Sequence, residues 1–409
     1  MEKLPALRQP ILRREFLVVL LLFFSVLISS PSIFRGFAPD FLSKAVPVLL
    51  IIVLAFMGRY RLPPDFCVGW ICCFFIMFLS GVLISLSAEG GAPAINGALI
   101  MILALVLAGN LKREGLVYLI VRWWRGLFWV ISIFSIINWI LAQYTLSFFK
   151  EIDFGLLYEG NVRNYLISPF GAIVVQDYGV FALYRVTGIL AEPGMMSMFF
   201  LVNAMLSFFS RQKIFSFWFG LANVLAAFAT HSVAFYFAFV FALVFYFLNK
   251  GNKCVRITLV LGICAVTILW FNIFGEFIQG LVERSSFDVR ESDSSFLLNR
   301  VIENPLASFF GYAWWGEYRQ FPAALPQLFY QTGLVGLVAY VWVLRFFLRD
   351  FLPIAIVVLM YGLSIDYQTF LIFPLLLFVV KACGKFEKYT VRCRISDVDK
   401  KNLVEMGLI

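Results

Sequence analysis

Runs of apolar residues nearly as long as a bilayer is thick follow one another along most of this chain, and no other feature constrains its folding as much. A helix needs about 20 mostly apolar residues to cross the hydrocarbon layer, with roughly 17–25 the usual range. Such runs lie near 16–33, 45–58, 66–87, 93–111, 126–144, 193–210, 214–230, 232–248, 257–274, 327–344, 351–364 and 368–381. The second and the last two are short, so the count stands at about twelve, with ten or eleven as the alternative. Hydrophobic residues make up 62% of the 409 and charged residues 14%, against about 25% charge in an ordinary soluble domain. A water-soluble chain of this size cannot hide that much apolar surface, so the expected fold is an all-α integral membrane protein. The 48 Phe, 16 Tyr and 10 Trp fit that class, with indole and phenol rings partly at the interfaces.

Charge supplies an orientation, because cytoplasmic loops collect Lys and Arg. With the N-terminus inside, the inner segments hold 24 of the 33 basic residues, and every inner loop contributes. Both ends are then cytoplasmic. This explains the net charge of +9 without a nucleic-acid partner. Lys3, Arg8, Arg13 and Arg14 before the first apolar run resemble the start of a signal peptide, but Ser29-Ser30-Pro31-Ser32 is a poor cleavage site, and we read an uncleaved first helix. All seven cysteines fall in spans or on the inner side, where no oxidising compartment pairs them. Cys67, Cys72 and Cys73 lack the partners of a zinc site and read as packing. The lone His231, between two spans, reads as an interfacial residue. No metal site and no cofactor is expected.

The chain divides into N-terminal helices (1–144), a first outer loop (145–192), central helices (193–274), a second outer loop (275–326), C-terminal helices (327–381) and an inner tail (382–409). Connections longer than about 12–15 residues are usually functional or disordered. Neither outer loop has a disordered composition: Tyr158, Tyr165, Phe170, Tyr178 and Tyr184 stud the first, and Phe309, Phe310, Tyr312, Trp314, Trp315 and Tyr318 the second. Both are net acidic yet hold isolated basic residues, and in the second loop every one is Arg. A guanidinium presents a planar fork of donors suited to phosphate oxygens and keeps its charge. The competing reading is local ion pairing, for example Arg284 with Asp288 or Arg290 with Asp293. The sharpest stretch is Arg185-Val-Thr-Gly188-Ile-Leu-Ala-Glu192-Pro193-Gly194. Pro at a first helical position with Glu beside it is an ordinary helix start, which accounts for Glu192-Pro193 but not for Arg185 and Gly188.

Arg185-x2-Gly188-x3-Glu192-Pro193 after a long outer loop resembles the O-antigen polymerase and ligase superfamily. So does the later Arg290 … Asn304-Pro305-Leu306 … Gly311, followed by Gln331-Thr-Gly333-Leu-Val-Gly336-Leu. The resemblance runs from Arg185 onward in order and spacing; the first five spans match in hydropathy alone. Gln331 stands where the family often has an acid, and Ala307-Ser308-Phe309 replaces part of a glycine turn. Ligases of the family carry a His-Asn pair shortly before the helix that here begins Ala324-Leu325-Pro326-Gln327. Its absence favours a polymerase.

The resemblance implies a metal-independent glycosyltransferase at the periplasmic face of a bacterial inner membrane. It would join polyprenyl-diphosphate-linked oligosaccharides into O-antigen or a related surface polysaccharide. Partners are then the lipid-linked repeats, membrane lipids and a chain-length regulator. Arg185, Arg290 and Arg300 are the first diphosphate contacts expected, with Arg163 and Arg284 behind them. Glu192 and then Asp177 are the candidate bases for the acceptor hydroxyl. A ligase that moves finished glycan to a lipid is the nearest alternative. A transporter or flippase is disfavoured, because the spans from 193 onward hold no Asp, Glu, Lys or Arg at mid-span.

Overall fold

A computed structural model describes residues 13–29, 40–57, 62–87, 92–153, 164–177, 182–190, 192–210, 215–250, 285–312, 319, 321, 323–364 and 372–385. The protein is mostly helical. Eleven of the twelve apolar segments coincide with helices: α1 (Arg13–Ser29), α2 (Asp40–Met57), α3 (Pro64–Ser87), α4 (Ala92–Asn110), α5 (Glu114–Tyr144), α6 (Pro193–Phe209), α7 (Phe217–Ala229), α8 (Val233–Lys250), α11 (Ala324–Leu348), α12 (Leu352–Gly362) and α13 (372–385). The segment 257–274 lies outside the described residues. Among the described residues, α5 and α11 are the two helices long and apolar enough to cross a membrane.

The helices pack around one extended apolar core that draws on α1 through α8 and α11 through α13. Their outward faces are apolar as well. On α3, Val68, Ile71, Phe75, Phe78, Leu79 and Val82 are all exposed, a stripe at the three-and-four spacing of a single helix face. Some polar groups inside the core bond across helices: Trp124 Nε1 donates to Asn203 Oδ1 at 2.7 Å, and Asn110 Nδ2 donates to the Leu54 and Val106 carbonyls. Lys381 Nζ meets Asp350 Oδ2 at 2.9 Å with both side chains about nine-tenths buried. Helix α5 begins at Glu114, a dozen residues before the expected span, because Leu116, Val117, Ile120, Val121 and Trp124 bury a face of the extra turns.

The first of the two long segments between helices departs from the all-α expectation. The first folds into an antiparallel four-stranded sheet in the order β1 (Lys150–Asp153), β2 (Asn164–Ser168), β3 (Gly171–Asp177), β4 (Ala182–Gly188). Alternation along these strands sorts the side chains. Ile173 and Val186 bury with Ala142 of α5 and Ala229 of α7, while Tyr165, Ala172 and Val174 cluster on the other face. Ser168 Oγ donates to Asn138 Oδ1 of α5 at 2.6 Å, fastening the sheet to the bundle.

The second segment forms two helices, α9 (Ser285–Glu303) and α10 (Pro305–Phe310). Asn304 Oδ1 accepts from the Ala307 amide with Pro305 at the first helical position, so α10 has an ordinary capped start. Gly311 follows with φ +95° and runs against the backbone of Gln331 and Thr332. Gly333, at φ +67°, interrupts α11 and lies against the backbone of Phe309 and Gly311. A side chain at either glycine would collide with main chain, and both conformations are ones that L-residues avoid. The two stretches that carry the later half of the sequence resemblance are therefore one piece of structure.

Candidate functional site

Arg185 sits on β4, an edge strand of the sheet, opposite Val174 in the β3–β4 register. It is half-buried. Its Nε donates to the carbonyl of Thr230 at 3.2 Å, which ties β4 to the turn between α7 and α8. The next residue, His231, has φ +45° and is bound at both ring nitrogens. Trp139 Nε1 donates to His231 Nε2 at 3.2 Å, and His231 Nδ1 lies 3.2 Å from Tyr236 Oη. An indole N–H is a donor only, so Nε2 accepts, the proton rests on Nδ1, and the ring is neutral. Burial and, after it, the Arg185 charge lower the His231 pKa from its usual 6.5.

Gly188 closes β4 at φ +62°, beside the Met196 side chain of α6. It faces a register shift at Ala172/Ile173, where the strand turns out of the sheet. That geometry is the reason for the glycine just downstream of Arg185. Glu192 is the N-cap residue of α6 in extended backbone, half-buried, with no side-chain capping bond and with Pro193 at the first helical position. Asp177 ends β3, paired in register with Ala182; its side chain lies outside the described residues.

In the second segment Arg300 bonds Glu303 Oε2 at 3.1 Å one turn along α9, with 36% and 61% of the side chains exposed. Its guanidinium lies 5.5 Å from the Phe296 ring centre. This is the local surface pair that competes with a phosphate-gripping role, and such pairs contribute little to stability. The Arg290 side chain, and with it the pairing of Arg290 with Asp293, lies outside the described residues. Asp293 Oδ1 is taken by Arg319 Nη2 at 2.7 Å. Arg319 also stacks 4.1 Å over Phe296, beside Phe321 and Tyr330. Arg290 lies on α9, with its side chain outside the described residues; Arg163, Arg284 and the Arg284–Asp288 pairing lie outside them altogether.

The structure thus brings Arg185 to the α7–α8 turn and Arg300 to Glu303, and adds two groups that sequence reasoning passed over. His231 was within reach, since the charge count puts it on the same outer side as Arg185, but only the strand pairing makes the two neighbours. The Asp293–Arg319 pair spans 26 residues and carries no local sequence signal. Among the described residues, no group of three or more His, Cys, Asp or Glu forms a metal site. No protein-family model, no curated protein and no solved structure matches the chain.

Proposed function

We propose that this chain is a multi-spanning inner-membrane protein of about twelve helices that polymerises polyprenyl-diphosphate-linked oligosaccharide repeats at the periplasmic face. The observation that carries the reading is the docking of Asn304–Gly311 onto Gln331–Gly336. Two motif stretches separated in sequence make a single backbone contact, as a shared functional turn requires. The membrane part is supported by the apolar stripes that α3 and its neighbours turn outward, because large exposed apolar surfaces are rare on soluble monomers. It is also supported by which residues touch. Groups read as inner meet one another, as Lys381 meets Asp350 and Lys385 meets the Leu111 carbonyl. Groups read as outer do the same, as Arg185 meets Thr230.

In the proposed reaction, the hydroxyl oxygen of an acceptor repeat attacks the anomeric carbon of the lipid-linked donor. The C–O bond to the diphosphate breaks and the polyprenyl diphosphate leaves with the electron pair. The acceptor proton passes to a carboxylate, with Glu192 in first place and Asp177 in second. Fixed guanidinium groups in a water-poor site stabilise the departing charge. Arg185 is the best placed of them, since its Nε is anchored on a backbone carbonyl; Arg290, Arg300, Arg163 and Arg284 complete the proposed diphosphate contacts. The test is to remove the protein from its host and run the surface glycan on a gel. The polymer ladder collapses to carrier plus a single repeat if the reading is right. Complete loss of glycan attachment points to a ligase, and an unchanged ladder ends the hypothesis.

A further inference from the structure

The chain's single histidine lies one residue beyond the carbonyl that holds Arg185, in a left-handed backbone conformation that non-glycine residues seldom adopt. Such a conformation persists only where its surroundings over-determine it. Here they are Trp139 from α5 and Tyr236 from α8, each within hydrogen-bond distance of a ring nitrogen. The Trp139 and His231 rings also lie close, tilted by 48° with their centres 6.0 Å apart. The imidazole is therefore strapped between two helices, and the peptide group it follows is the one that receives the Arg185 Nε–H.

We propose that His231 is a positioning residue for Arg185: its neutral ring fixes the Thr230–His231 turn, and that turn aims the guanidinium at the donor's diphosphate. The identity of that anion rests on the polymerase reading. Protonation breaks the arrangement on geometric grounds. Nε2 would have to carry a hydrogen pointing at the Trp139 N–H, and a second positive charge would appear beside Arg185. The groups that face the ring are Arg185 of β4, Tyr236 of α8 and the non-titrating Trp139 of α5. Because the His231 pKa is lowered in the folded protein, the turn is fully stable above the unfolded value of about 6.5. It weakens as the pH falls from there toward the lowered value.

Two measurements on the full-length protein test this. In cells, the glycan ladder is compared at about pH 7.5 and about pH 5.5 for wild type and for Arg185→Ala, His231→Ala, His231→Asn and Trp139→Phe. Asn is chosen because it tolerates left-handed backbone and does not titrate. We expect His231→Ala to cut long polymer on the order of tenfold to a hundredfold, as misplacement of a positioning group does. His231→Asn should keep polymer at neutral pH and lose the wild type's decline in acid. In vesicles of phosphatidylethanolamine and phosphatidylglycerol, indole fluorescence should fall in acid, with a midpoint below that of an ordinary imidazole, as imidazolium quenches Trp139, and this step should vanish in Trp139→Phe. Arg185→Ala without polymer, alongside a normal ladder and an unchanged acid response in both His231 variants, overturns the proposal while the polymerase reading stands. A normal ladder in Arg185→Ala removes Arg185 from the site and the proposal with it. If His231→Ala fails to accumulate, His231→Asn and the fluorescence titration decide: no acid quench in wild type overturns the proposal.

Discussion

Between α5 and α6 the backbone bonds itself strand to strand, and that ladder delivers Arg185 to the edge of a sheet. Between α9 and α11 the chain instead makes helices and holds them with side chains: an Asp293–Arg319 pair, stacked Tyr312 and Tyr330, and two glycines in backbone contact. The first segment is held by a repeating ladder of backbone hydrogen bonds. In the second, the described side chains do the holding: Arg319 meets Asp293 and Arg300 meets Glu303. Arg185, on an edge strand with its Nε held by the Thr230 carbonyl, is the arginine we propose first for the reaction. Arg300, paired along its own helix, is the weaker one.

The sharpest way to break this contrast is at the two arginines. Arg185→Ala should eliminate polymer with normal protein abundance, and Arg300→Ala should leave a ladder close to wild type; equal losses in the two would erase the distinction. Next in size is Gly333→Ala. It places a methyl group against main chain at a positive φ, and a destabilisation on the order of 3 kcal/mol or more is expected, read as loss of the folded peak on heating in detergent. Asp293→Asn should cost about 2 kcal/mol by leaving Arg319 without its counter-charge, discounted because 36% of the Arg319 side chain is exposed. Smallest is Ser168→Ala in the sheet. It removes the buried bond to Asn138, whose Nδ2 has no partner among the described residues, together with the acceptor of the Phe170 amide, and should cost about 1–2 kcal/mol. A larger loss for Ser168→Ala than for Asp293→Asn would invert the view that the ladder, rather than its side chains, holds the first segment.

Hydropathy made the apolar helices legible, since a run of Val, Leu, Ile and Phe declares itself whatever its partners. The same measure could not see α9, whose Ser285–Glu303 sequence is polar over most of its surface. It could not see the sheet either, whose strands are four to seven residues long. The signals were present: Ile173-Val174-Val175 is β-branched, and Pro169-Phe170-Gly171 is a turn. Set among tyrosines and charges, they read as an ordered loop. Glu192-Pro193 was legible as a helix start because capping is local chemistry. The neighbours of Arg185 were not, because Thr230 lies 45 residues away and reaches it only through the β3–β4 register and the α7–α8 turn. The Arg319–Asp293 pair was illegible for a related reason: its partners stand 26 residues apart, and the aromatic bed of Phe296, Phe321 and Tyr330 brings them together.

The backbone of Gln331 and Thr332 fills the space where a Gly311 side chain would stand, and the backbone of Phe309 and Gly311 fills that of Gly333. The short helix α10 and the first turns of α11 are therefore in contact at the level of the main chain. Neither can slide along its partner. Displacing one carries the other, with the break at Gly333 as the pivot. Over generations the two positions form a linked pair, since any enlargement at one must be answered by a rearrangement at the other.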